Sequence, residues 1–285
     1  MKKAEDLWGS SGFGKVFFYV IIIITKIHKS QEVCGMKKIT SFLVVLFLMI
    51  CSVAAASQPE FRSDVSGSKW LQVQDRTIEA RDKEGLILKV QWPVFSSKDS
   101  SHGHLISSLK KESDQTRSFF DKDIRESKEL AAKGHRDVRN GRWLVYVELQ
   151  RDDGRVLSLL ERSYHRDLAG ERWGYAGLNY DAKTGNKLSS LDVFKLSREQ
   201  LADTLLERLT KKYGRRVLGN NPRRMILARI KDDADMEFLP WVLTSDGVSF
   251  HFRTGDFGSG YRPLPIDISF RDEPHLFHKK YMLTY

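Results

Sequence analysis

Cysteine is almost missing: the 285 residues hold two, Cys34 and Cys51, and both fall ahead of residue 57. Beyond that point the chain can form no disulfide and offers no thiolate nucleophile, so its stability must come from an ordinary core. No Gly-x-Ser-x-Gly stretch is present to set a serine on a strained strand-to-helix turn. The close histidine pairs are His102-x-His104 and His275-x-x-His278, in polar or terminal loops without the glutamate-bearing helix of a zinc hydrolase. No metal and no cofactor is therefore expected. One-sided charge is also scarce. The whole chain carries +10, and with 7 lysines and 3 acids in residues 1–56 the remainder carries +6. Such a mild excess suits anionic envelope polymers or acidic partners and does not call for nucleic acid.

Long apolar runs are confined to residues 16–25 and 39–53. The first is too short to cross ~30 Å of hydrocarbon as a helix. The second follows Met36-Lys37-Lys38 and precedes Ala54-Ala55-Ala56, the basic, apolar and small-residue parts of an export signal. Met36 is thus expected to be the initiator, with residues 1–35 an upstream extension, 36–56 a cleavable signal peptide and the product periplasmic or secreted. The alternative is a retained N-terminus that anchors an envelope structural protein. Ile50 stands before Cys51 where a lipoprotein signal needs a small residue.

Residues 57–69, with Pro59 and Gly67, read as a linker. Period-two alternation then predicts strands over 70–78, 86–95, 142–150, 155–164 and 173–180, the last three a meander whose first turn is Asp153-Gly154. Leu105, Ile106, Leu109, Phe119, Phe120, Ile124 and Leu130 share a helical stripe, predicting one helix over 105–132 with Ser113 as its weak point. Ser197-x-x-Gln200 has the form of a capping box ahead of Leu201, Leu205, Leu206 and Leu209. Pro222 opens a shorter helix. Phe238 to Phe252 alternates around Ser245-Asp246-Gly247, a hairpin whose glycine is expected at positive φ, and 264–270 returns as a last strand. The class is α+β: antiparallel sheet with helices packed on one face, in two subdomains, 70–138 and 139–285.

The block Asn179-Tyr180-Asp181-Ala182-Lys183-Thr184-Gly185, followed by Leu191-Asp192-Val193-Phe194, a helix and the hairpin, resembles an exported bacterial domain of unknown function. That domain occurs outside the membrane in the RsiV-type anti-sigma factor and beside the catalytic domain of PdaC-type peptidoglycan deacetylases. The resemblance runs from about Trp143 to Phe270, and more weakly over Trp70 to Ala132. The chain departs from it at Trp173-Gly174-Tyr175-Ala176-Gly177-Leu178, where the family carries Gly-Gly-Ala-His, and at Thr254 to Tyr261, where it carries a tyrosine-rich run. No Thr-Phe-Asp-Asp deacetylase motif accompanies it. The resemblance implies a non-catalytic envelope domain that recognises a cell-wall glycan or a protein such as lysozyme.

Aromatics beside polar groups are what such recognition uses, and the residues in that pattern are Trp173, Tyr175, Asn179, Asp181, His251 and Tyr261. Tyr180 and Trp241 alternate with apolar neighbours and are read as core. The competing activity is a wall glycan hydrolase, which needs two carboxylates about 5–10 Å apart. The adjacent Asp152-Asp153 reads as a turn pair and Asp232-Asp233-x-Asp235 as an acidic turn, while Arg215-Arg216 and Arg223-Arg224 suit equally a bidentate grip on a phosphate or carboxylate polymer and a charged helix surface.

Overall fold

The computed structural model describes residues 61–285 apart from 99, 169, 259, 261, 284 and 285, so the expected extension and signal, and linker residues 57–60, lie outside the described residues. Strands β1 (Leu71–Asp82) and β2 (Gly85–Ser97) form a hairpin, α1 (Gly103–Ala132) follows, and β3 (Gly141–Asp152), β4 (Val156–Asp167) and β5 (Gly170–Asp181) form the expected meander. All five belong to one sheet in the order β1-β2-β3-β4-β5. Its neighbours are antiparallel except β2 and β3, which run parallel from Leu88↔Gly141 to Gln91↔Leu144. Parallel neighbours need a long crossover, and the 30 residues of α1 supply it. The α+β class stands, but the sheet is mixed, and the boundary expected at 138/139 separates two strands that are neighbours within it.

Helix α1 lies on one face of this sheet. Leu105, Ile106 and Leu109 pack with Val147, Leu157, Leu159, Leu178 and Tyr180, while Phe120 and Ala131 pack with Ile87, Val90, Trp92 and Val145. The expected stripe is thus partly right. Phe119 stays 47% exposed, with only an edge contact to Trp143 at 4.8 Å, and Leu130 stays 37% exposed. The helix does not break at Ser113, whose buried hydroxyl donates to the Pro93 carbonyl at 2.7 Å.

Next come α2 (Ser190–Val193), α3 (Arg198–Tyr213) and α4 (Pro222–Arg229). The Ser197 box is formed: the Gln200 amide donates to Ser197 Oγ at 3.2 Å and the Ser197 amide to Gln200 Oε1 at 2.8 Å. Strands β6 (Trp241–Leu243), β7 (Gly247–Arg253) and β8 (Pro263–Ser269) make a second, antiparallel sheet instead of extending the first. Phe250, Phe252, Leu264, Ile266 and Ile268 bury against Leu201, Leu205 and Leu209 of α3. Gly247 does not have the positive φ expected of it. Its need for glycine is close approach: a Cβ there would stand 2.0 Å from the Ile268 carbonyl oxygen.

Candidate functional site

Residues paired across antiparallel strands share a sheet face. The registers Tyr146↔Arg162↔Tyr175 and Leu144↔Tyr164↔Trp173 therefore put these side chains on the face opposite α1. One end of that face carries β6. A Cβ on Gly177 would lie 1.6 Å from the Trp241 carbonyl oxygen, so glycine is what lets the two backbones meet. Beside it the Asn179 amide donates to the Trp241 carbonyl at 2.9 Å, and its Oδ1 accepts from Ser158 Oγ at 2.7 Å and from the Leu243 amide at 3.3 Å.

Farther along, β7 sets His251 beside Tyr175, with ring centroids 5.7 Å apart. Arg253 donates to the Trp173 carbonyl and pairs with Asp256 at 3.2 Å. Phe61 stacks on Tyr164 at 4.8 Å and lies 5.6 Å from Trp173 and 5.8 Å from Tyr146. The result is an aromatic band across three strands in which Tyr146 and Tyr164 are buried and Phe61, Trp173 and Tyr175 are partly exposed. Within it the Arg162 guanidinium sits 5.9 Å from the Tyr175 ring centre and pairs with Glu148 at 2.9 Å. About a third of each charged side chain reaches solvent.

Two polar atoms of this band are buried without a hydrogen-bond partner, Arg162 Nε and His251 Nε2. Unpaired buried polar atoms cost free energy that a bound water would recover, and Arg172 Nε and Arg208 Nε share the condition. Burial first, and then the charge of Arg162, lowers His251 to about 4, so its ring is neutral at ordinary pH. Burial likewise pushes the Tyr146 phenol up, with Arg162 pulling against it. The band can therefore offer an apolar platform, a compensated ion pair and a neutral imidazole.

Of the six residues read from the sequence, Trp173, Tyr175 and His251 come together here. Asn179 does not face a ligand: it is buried and its amide is consumed in joining the two sheets. Asp181 ties its own turn, accepting from the amides of Lys183 and Thr184 at 3.0 and 2.9 Å. Tyr261 lies outside the described residues. Reading the sequence missed Phe61, Tyr146, Glu148 and Arg162. Counting back from the β4–β5 turn would have put Arg162 opposite Tyr175, but Phe61 reaches the band from outside the strands.

A second titratable cluster lies on the α1 face. Glu161 on β4 neighbours Glu112 of α1, which accepts from Lys187 Nζ at 2.9 Å and from the Tyr180 hydroxyl at 3.4 Å. Burial, and then the Glu112 charge, raises Glu161 to about 7. The other acids considered are structural. Asp152 accepts from Ser68 Oγ at 2.6 Å, Asp153 from Arg151 at 2.6 Å and Asp233 from the Asp235 amide at 3.0 Å. Arg223 is held by Asp203 at 2.6 Å. Among the described residues no three His, Asp or Glu side chains are grouped to hold a metal ion, and no helix is long and apolar enough to cross a membrane.

No family model and no curated protein matches the chain. Among solved structures it is similar to a member of the DUF3298 family from Bacteroides fragilis, with a TM-score of 0.55 and 13% identity over 74% of this chain and 95% of that one. A DUF3298 family protein from Pseudomonas aeruginosa aligns at 13% identity and a TM-score of 0.47, over 75% of this chain and 96% of that one. At this identity the likeness to the Bacteroides structure shows the fold, that of an uncharacterised domain.

Proposed function

We propose that this chain is a non-catalytic recognition domain of the cell envelope, and that the aromatic band formed by Trp173, Tyr175, Arg162 and His251 contacts its target. The observation that carries this reading is the pair of unsatisfied buried atoms, Arg162 Nε and His251 Nε2, beside half-buried aromatic rings. Residues of this type dominate binding energy when a partner excludes water from them. Export by residues 36–56 would deliver the domain to the periplasm or the exterior. The resemblance to the RsiV-type and PdaC-type accessory domains names the target classes, a wall glycan or a lysozyme-like protein.

The test is retention of the full chain on purified peptidoglycan and on immobilised lysozyme, with the Trp173→Ala/Tyr175→Ala variant alongside. Retention by either that falls at least about tenfold in the variant is expected, the size of a central contact in an interface. Equal retention of both proteins would refute the assignment of this face.

A wall-acting hydrolase is the second reading, favoured by one observation: Glu161, raised to about 7 beside Glu112, has the two-carboxylate pattern of an acid–base pair. Against it, Lys187 and Tyr180 hold Glu112 beneath α1. Release of reducing sugars from peptidoglycan by the wild type, abolished in Glu161→Gln, would establish this reading over the first.

A further inference from the structure

We infer that the ligand of the aromatic band is a neutral saccharide: an uncharged pyranose stacks its C–H face on the Tyr175 ring while neighbouring hydroxyls bridge the Arg162 guanidinium and the Glu148 carboxylate. This rests on the recognition reading above and narrows it to one chemistry.

Around Tyr175, Arg162 pairs with Glu148 at 2.9 Å, and Arg253 pairs at 3.2 Å with Asp256, a carboxylate it shares with Arg229 at 3.0 Å. A polyanion would have to displace Glu148 to reach Arg162, and a cationic protein side chain would have to displace Arg162 to reach Glu148. A hydroxyl needs neither exchange, because it accepts from a guanidinium N–H and donates to a carboxylate at once. Two adjacent ring hydroxyls therefore fit a pair that stays intact and remains about one-third exposed. Flat aromatic rings flanked by a few placed polar groups are the usual make-up of a specific small-ligand surface. Trp173, one pleat along the same face, extends the platform toward a second sugar of a chain.

The experiment is binding of tri-N-acetylchitotriose, an uncharged oligosaccharide, to the full chain by saturation-transfer NMR and titration calorimetry. Polygalacturonate and lysozyme form separate arms. The variants are Tyr175→Phe, Tyr175→Ser and Glu148→Gln, each checked by its circular-dichroism melt. Chitotriose should bind wild type and Tyr175→Phe within about twofold of each other, and at least about tenfold more weakly to Tyr175→Ser and Glu148→Gln. If Tyr175→Ser does not fold, Glu148→Gln, altered at a partly exposed site, carries the comparison. The inference is overturned if chitotriose fails to bind, or binds all four proteins alike. Should polygalacturonate or lysozyme then be retained in a Tyr175-dependent way, the recognition reading survives and only the saccharide is lost. If no arm depends on Tyr175, both fall.

Discussion

Two partly buried groups on opposite faces of the five-stranded sheet should make stability nearly independent of pH in the range where each alone would tilt it. Glu161 moves from an ordinary 4.5 to about 7 on folding, through burial and then the nearby Glu112 charge. Between those values the folded protein holds a proton that the unfolded chain has released, so stability falls as pH rises, by about 1.4 kcal/mol per pH unit at most. His251 moves the other way, from 6.5 to about 4, through burial and then Arg162. Between those values the unfolded chain holds the extra proton, and stability rises with pH at the same limiting slope. The windows overlap from 4.5 to 6.5, where the two slopes cancel. Glu161→Gln leaves the histidine slope alone, and its stability should rise by up to about 3 kcal/mol across that overlap. His251→Gln should show the mirror image. Urea unfolding at half-unit pH steps, with a constant m-value, measures both. Wild-type and Glu161→Gln curves that run parallel from pH 4.5 to 6.5 would refute the reasoning.

Arg151 is nearly buried, donates to Asp153 at 2.6 Å and to the Tyr281 carbonyl at 2.7 Å, and lies 5.9 Å from the Phe270 ring centre. Arg151→Leu leaves Asp153 only the Arg155 and Val156 amides and should cost about 3 kcal/mol, read as a fall in the urea midpoint. Asn179→Leu takes the side-chain donor from the Trp241 carbonyl and the acceptor from the Ser158 O–H, although Ser158 Oγ still accepts from the Leu243 amide at 2.9 Å. It should cost at least about 2 kcal/mol, read as a fall in the urea midpoint. Ser197→Ala removes the cap of α3 and should cost about 1 kcal/mol by thermal unfolding, with no change in target retention.

The sequence by itself determined what local chemistry decides. Alternation marked every strand of the first sheet. The Ser197–Gln200 spacing marked the start of α3, and Asp153-Gly154 marked the β3–β4 turn, because each signal lies within a few residues of its effect. Tyr175, Trp173 and His251 stood out as aromatic or polar groups beside glycines or on a short strand. What they face was not legible, since cross-strand and inter-sheet partners are set by contacts distant in the chain. Only tertiary structure decided that β2 pairs with β3, which makes neighbours of two strands on either side of the boundary expected between two subdomains. Only the meeting of β5 and β6 decided that Asn179 turns inward while Tyr175, four residues earlier on the same face, stays half-open. The cause is steric: Gly177 has no Cβ, so the Trp241 backbone presses down at that point and covers Asn179, and beyond it the uncovered stretch becomes the candidate binding face.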